Sequence, residues 1–144
     1  MSTDLQWLLI RKYNSFLVKK VPEGPIFSKE PGNLLNLHSH KYSGLANSKT
    51  IDIQSSESGL QITTLKSKAS PHAVRPARST ANVRNRSGGR RSLGVVASVA
   101  KRGYRPDLRA AALGRTSALL AAQKEKKASP PKKVRGKKAA ASIP

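Results

Sequence analysis

His38-Ser-His40 sets two imidazoles at the spacing that places both on one face of a strand, which could begin a metal site. The chain offers only one further histidine, His72, and no cysteine. A tetrahedral set cannot be completed, and the pair reads as surface histidines within reach of a polyanion. Asp4, Glu23, Glu30, Asp52 and Glu57 contain no pair in a setting that separates a general acid from a base, so these carboxylates read as acceptors for Lys or Arg. No catalytic residue is assigned, and neither a cofactor nor a metal is expected. Gly88-Gly89 lies between arginines but lacks the G-x-x-x-x-G-K-[ST] spacing of a phosphate loop. Its glycines instead allow a backbone to lie close against a partner.

The remaining chemistry is cationic. Arg75, Arg78, Arg84, Arg86, Arg90 and Arg91 carry guanidinium forks that grip phosphate in pairs and stack on unpaired bases. Lys101, Arg102, Arg105, Arg109 and Arg115 surround or sit within a helix, and Lys132, Lys133, Arg135, Lys137 and Lys138 crowd the tail. The tail lysines act as point charges and also form a cluster that nuclear import could read.

Across 144 residues, 28 Lys and Arg face 7 Asp and Glu, a net charge of +21. A chain so charged repels itself when free, which points to nucleic acid as its partner and, second, to an acidic membrane surface. Absence of cysteine excludes a disulfide framework. The start, MSTDLQWLLI, carries Asp4 and an apolar run only from Trp7 to Ile10, so neither a secretory segment nor a membrane span is expected.

The charge is uneven. Up to Lys68 there are 9 cations and 5 acids, and beyond it 19 and 2. Five of six aromatics lie in the first part, and 16 of 17 alanines in the second. Because alanine buries little area, the expectation is a small α+β globular domain over 1–68 and a basic helical and extended C-terminal extension. The extension divides into a basic linker with a weak helix (69–103), an amphipathic basic helix (104–123) and a disordered basic tail (124–144).

In the first part, Thr3 and Gln6 read as a capping box for a short helix that turns Trp7 and Ile10 to the core. Strands follow near Phe16–Val18 and Ile26–Lys29, separated by the turn Pro22-Glu-Gly-Pro25, and a further strand is expected over His38–Tyr42. Thr50–Gln54 and Leu60–Leu65 alternate as a second hairpin. One helix against about four antiparallel strands results. Beyond it, Leu93–Arg102 suits a weak helix ended by Gly103. Then Tyr104–Gln123 starts with Pro106 and Asp107, a good helix beginning. Its apolar side holds Leu108, Ala111, Ala112, Leu119 and Ala122 with Arg115 among them.

Four blocks in order, LQW at Leu5–Trp7, SFLVKK at Ser15–Lys20, FSKEPGNLLNLHSHKYSGLANSKT at Phe27–Thr50 and YRPDLRAAALGRTSALL at Tyr104–Leu120, resemble the eukaryotic large-subunit (60S) ribosomal protein number twenty-eight family. The likeness covers most of 1–68 and the Tyr104 helix; 69–103 matches mainly in being basic. It implies a structural constituent of the cytosolic ribosome, not an enzyme, that holds large-subunit ribosomal RNA near expansion segments beside neighbouring ribosomal proteins. It implies nucleolar passage during assembly, no membrane and no homo-oligomer. In that setting the 16 cations named above are the RNA-binding candidates, with the histidine pair a further contact. A nucleolar large-subunit assembly factor begins with similar sequence but is longer and has cysteines suited to metal. The Lys, Ala and Pro tail also has the style of linker-histone tails, so a chromatin-associated DNA-binding protein is a further alternative.

Overall fold

A computed structural model of the chain describes residues 2–18, 22–70, 72–101, 103–125 and 128–130. Helix α1 spans Thr3–Ile10. Its N-cap is Ser2, whose hydroxyl accepts the Asp4 N–H at 3.3 Å, so the cap stands one residue before the Thr3 position that the sequence suggests. No α1 residue is buried. Trp7 and Ile10 therefore do not enter the core; Trp7 packs instead on His38 and His40, at ring-centroid distances of 4.8 and 5.7 Å.

Strands β1 (Leu17–Val18) and β2 (Phe27–Ser28) form a short antiparallel ladder. Leu37 makes a single bridge to Phe27, and His38–Tyr42 runs as bends and turns where alternation suggests a strand. Side chains hold that backbone in its turns. Asn47 Nδ2 donates to the carbonyls of His40 and Ser43 at 2.7 and 2.8 Å, while Ser43 Oγ accepts the Ala46 N–H at 3.2 Å. Such local bonds compete with a sheet ladder. Buried Glu30 ties the loop together, accepting from Asn33 Nδ2 and Ser43 Oγ at 3.0 Å each.

The second hairpin forms as its alternation dictates. β3 (Ile51–Ser56) pairs with β4 (Gly59–Leu65) in register Ile53↔Ile62, leaving Glu57-Ser58 as the turn. β5 (Arg78–Arg84) then pairs antiparallel with β4, with Leu60↔Val83 and Ile62↔Ala81, to give the order β3-β4-β5. This strand lies inside the stretch whose composition suggests an extended linker. At a sheet edge with one open face a strand needs few apolar residues, and Val83 alone of β5 is buried.

Helix α2 (Gly89–Lys101) is longer than the weak helix expected there and is followed by Gly103 at φ +70°. A 3-10 turn over Pro106–Leu108 leads into α3 (Arg109–Gln123). The core joins Ile51, Ile53, Leu60, Ile62 and Val83 of the sheet to Val96, Ala100, Leu108 and Ala112 of the helices, with Leu34 from the loop. Alanine contributes here by being small: it lets α2 and α3 approach each other and the sheet, whose isoleucines fill the space. The α+β class holds, with the helices beyond residue 88 packed on the sheet. The expected boundary at Lys68 thus runs through one shared core.

Candidate nucleic-acid interface

Successive β5 side chains point to opposite faces. Ala81 and Val83 face the core side with Ile62 and Leu60, so Arg78, Thr80, Asn82 and Arg84 stand on the open face. There the register aligns Gln54, Gln61 and Asn82 across the three strands, a row of amides that sequence reading did not single out. Its signal was the polar half of each alternation.

After β5 the chain turns sharply. The Asn85 N–H donates to the Ser58 carbonyl and the Ser87 N–H to the Arg84 carbonyl, both at 2.9 Å, which holds Arg86 out on the turn. Ser92 is buried at the foot of α2, its hydroxyl donating to the Gly88 carbonyl at 3.4 Å, and this directs Arg90 and Arg91 to solvent. Between β5, the turn and α2 lies a groove of about 640 Å³, lined by Arg84, Arg86 and Arg91 with Val83 and Val95. The space beside Gly88, Gly89 and Gly94 is open. Among the described residues no carboxylate pairs with any of these arginines, for the ion pairs are His40–Asp4 and Arg105–Asp107.

The other candidates divide. Arg75 is exposed in the loop before β5, Lys101 at the end of α2 and Arg109 at the start of α3. Arg102, Lys132, Lys133, Arg135, Lys137 and Lys138 lie outside the described residues, as does most of the tail expected to be disordered.

Arg105 and Arg115 are engaged within the protein. Arg115 Nε donates to the Ile53 carbonyl at 2.8 Å and its Nη1 to the Leu34 carbonyl at 3.1 Å, bolting α3 to an edge strand. Its place among Leu108, Ala111, Ala112 and Leu119 on the helix wheel was the readable sign. Arg105 donates to the carbonyls of Lys49 and Lys41 at 2.9 and 2.8 Å and forms a two-pronged pair with Asp107 at 2.8 and 2.7 Å. Hydrogen bonding to Arg105 holds the Asp107 carboxyl below its ordinary value, against partial burial. Beside it the Tyr104 hydroxyl accepts the Thr50 N–H at 3.1 Å and lies against the carbonyls of Thr50 and Leu65. Burial raises the Tyr104 pKa above its ordinary value, outweighing those bonds. At the far end of α3, Gln123 Nε2 donates to Ser55 Oγ and the Gly59 carbonyl at 2.8 and 2.9 Å. Tyr104, ahead of the 3-10 turn, and Arg115 and Gln123 of α3 thus fasten this segment along the sheet.

His38 and His40 are held by contacts to α1. Among the described residues no group of three or more metal-ligating side chains converges. His38 Nε2 meets the Arg11 carbonyl at 2.8 Å and His40 Nδ1 stands 3.6 Å from Asp4, so the pair anchors α1.

Residues 5–122 match the Ribosomal L28e protein family, a span that takes in both the apolar core and the arginine groove. The chain is 40% identical over 128 residues to the large ribosomal subunit protein eL28 of Dictyostelium discoideum, covering 86% of this chain and 93% of that one. It is 34% identical over 132 residues to the protein of the same name from Schizosaccharomyces pombe, covering 88% and 96%. The matches span most of this chain and nearly the whole length of both relatives, and the chain belongs to the Ribosomal L28e protein family.

Proposed function

We propose that this protein is a structural constituent of the large subunit of the eukaryotic cytosolic ribosome that binds ribosomal RNA through arginine and lysine contacts to phosphate. Family membership supports the ribosomal part of the reading. The observation that carries the chemical part is the exposed set Arg75, Arg78, Arg84, Arg86, Arg90, Arg91 and Arg109, without acidic partners among the described residues. Lone exposed cations are an ordinary solvated surface. Here 28 Lys and Arg meet only 7 acids, so most of the charge has no internal counterpart and a phosphate backbone supplies it. Arg105 and Arg115 belong to the scaffold in this reading, and the tail lysines and Arg135 add sequence-independent attraction. The protein works as a binding scaffold and not as an enzyme. Expansion segments are the proposed RNA neighbourhood, other large-subunit proteins the adjoining partners, one copy per subunit the stoichiometry, and the nucleolus a stage on the way to the cytosol.

The test is sedimentation of a cell lysate on a gradient, with and without a chelator that separates the subunits. The protein should follow the large subunit in both conditions and leave it in a rising-salt wash, since log K for phosphate contacts falls linearly with log salt. Sedimentation with chromatin, or only with nucleolar precursors, would overturn the reading.

A further inference from the structure

The groove between β5 and α2 combines two surfaces that no duplex uses together. It is lined by three exposed arginines, Arg84, Arg86 and Arg91, by the polar Asn82 and Ser87, and by the edge of the core at Val83 and Val95. A-form RNA offers a protein its phosphates and 2′-hydroxyls, while its bases remain stacked inside. A duplex brings phosphates to the exposed arginines but no group that reaches the half-buried Val95 beside them. An unpaired nucleotide brings both halves: a phosphate for the arginines and a base face for the valines or for a stacked guanidinium plane. The volume, about 640 Å³, falls in the range of roughly 300–1,000 Å³ that encloses a small organic ligand.

The surroundings point the same way. β5 is an edge strand, so alternate residues turn their N–H and C=O away from β4 toward a partner, except where the Arg84 carbonyl accepts the Ser87 N–H. Gly88, which lines the groove, has open space where a Cβ would stand, so a sugar-phosphate chain can approach the backbone there. We propose that the β5–α2 groove is a site for unpaired RNA, a bulged or looped nucleotide whose phosphates are clamped by Arg84, Arg86 and Arg91. This rests on the RNA-binding reading above and deepens it by naming the form of RNA.

The experiment uses the full chain and two probes, a short unpaired RNA of mixed sequence and a blunt RNA duplex of the same length. Arg84→Gln, Arg86→Gln and Arg91→Gln are combined in one variant, with circular dichroism confirming the fold. The variant should lose at least roughly tenfold in affinity for the unpaired RNA, and its salt slope on that probe should fall by about 2, from about 0.7 per neutralised phosphate. Duplex affinity should fall too, through the lost phosphate contacts, but by clearly less, because only the unpaired RNA fills the groove. Equal losses on the two probes, a larger loss on the duplex, or no loss on the unpaired RNA would each overturn the proposal. Sedimentation of the wild type separates this from the ribosomal reading. Wild type that follows the large subunit, with a triple variant that binds unpaired RNA normally, sinks the groove alone. Wild type that does not follow it, with the probe preference as expected, sinks the ribosomal reading alone.

Discussion

Identical side chains in this protein do opposite work, and the difference lies in what each can reach. Arg115 has two carbonyls within hydrogen-bond distance, whereas Arg109, six residues earlier on the same helix, is exposed. Replacing Arg115 by Met keeps an apolar stem but removes both donors, and hydrogen bonds to charged groups contribute about 1.5–3 kcal/mol each. We expect Arg115→Met to lower unfolding stability in urea by about 2–4 kcal/mol and Arg109→Ala to change it by under about 0.5 kcal/mol. Arg109→Ala should instead loosen RNA attachment in a salt wash. The Arg105–Asp107 pair gives a pH signature. Its carboxyl pKa is lowered in the fold, so the stabilisation is complete above the unfolded value of 3.8 and disappears as pH falls through the lowered one. Asp107 is 40% exposed and solvent screens the pair, so the effect is small. Thermal melts of wild type and Asp107→Asn should therefore differ most above about pH 5 and converge in strong acid.

Glycines separate the elements by the same logic of local space. Gly59 begins β4 at φ +136°, and a Cβ there would stand 2.2 Å from the Val83 carbonyl oxygen of β5. Gly59→Ala must push the two strands apart, at a cost of at least about 1–3 kcal/mol for the backbone conformation alone. Gly94 lies inside α2 with nothing near its missing Cβ. Gly94→Ala should stabilise the protein by about 0.5–1 kcal/mol, the usual helix preference for alanine. Paired urea titrations check both signs. At the helix that closes the core, Leu108→Ala removes a side chain only 2% exposed and should cost about 2–5 kcal/mol.

At the scale of the whole molecule the core decides what can fold alone. Ile51, Ile53 and Ile62 are buried against Val83, Val96, Leu108 and Ala112, all contributed by chain beyond residue 68. A fragment ending at Lys68 leaves those isoleucines open and loses the β5 edge partner of β4. Its amide NMR spectrum should show little dispersion, whereas a fragment ending at Gln123 should unfold cooperatively. A well-dispersed spectrum from the shorter fragment would restore an independent first domain.

What the sequence alone determined about this protein was its chemistry and its local elements. A charge of +21 pointed to a polyanion, nucleic acid first and an acidic membrane surface second, and the Ile51–Leu65 alternation, Gly103 and Pro106 marked a hairpin, a helix stop and a helix start because each acts within a few residues. Tertiary structure alone decided membership. Arg78–Arg84 shows one buried side chain, too weak a pattern to read, and becomes a strand because β4 presents an open edge with complementary register. Alanine looked unable to build a core, since its own buried area is small. Its value depends on what stands opposite, and the isoleucines opposite Ala100 and Ala112 are far away in the chain. The arginines were legible as a charge. Whether a guanidinium meets a carbonyl or solvent depends on a partner dozens of residues distant, as for Arg115 with Ile53 and Leu34, and only the folded chain sets that distance.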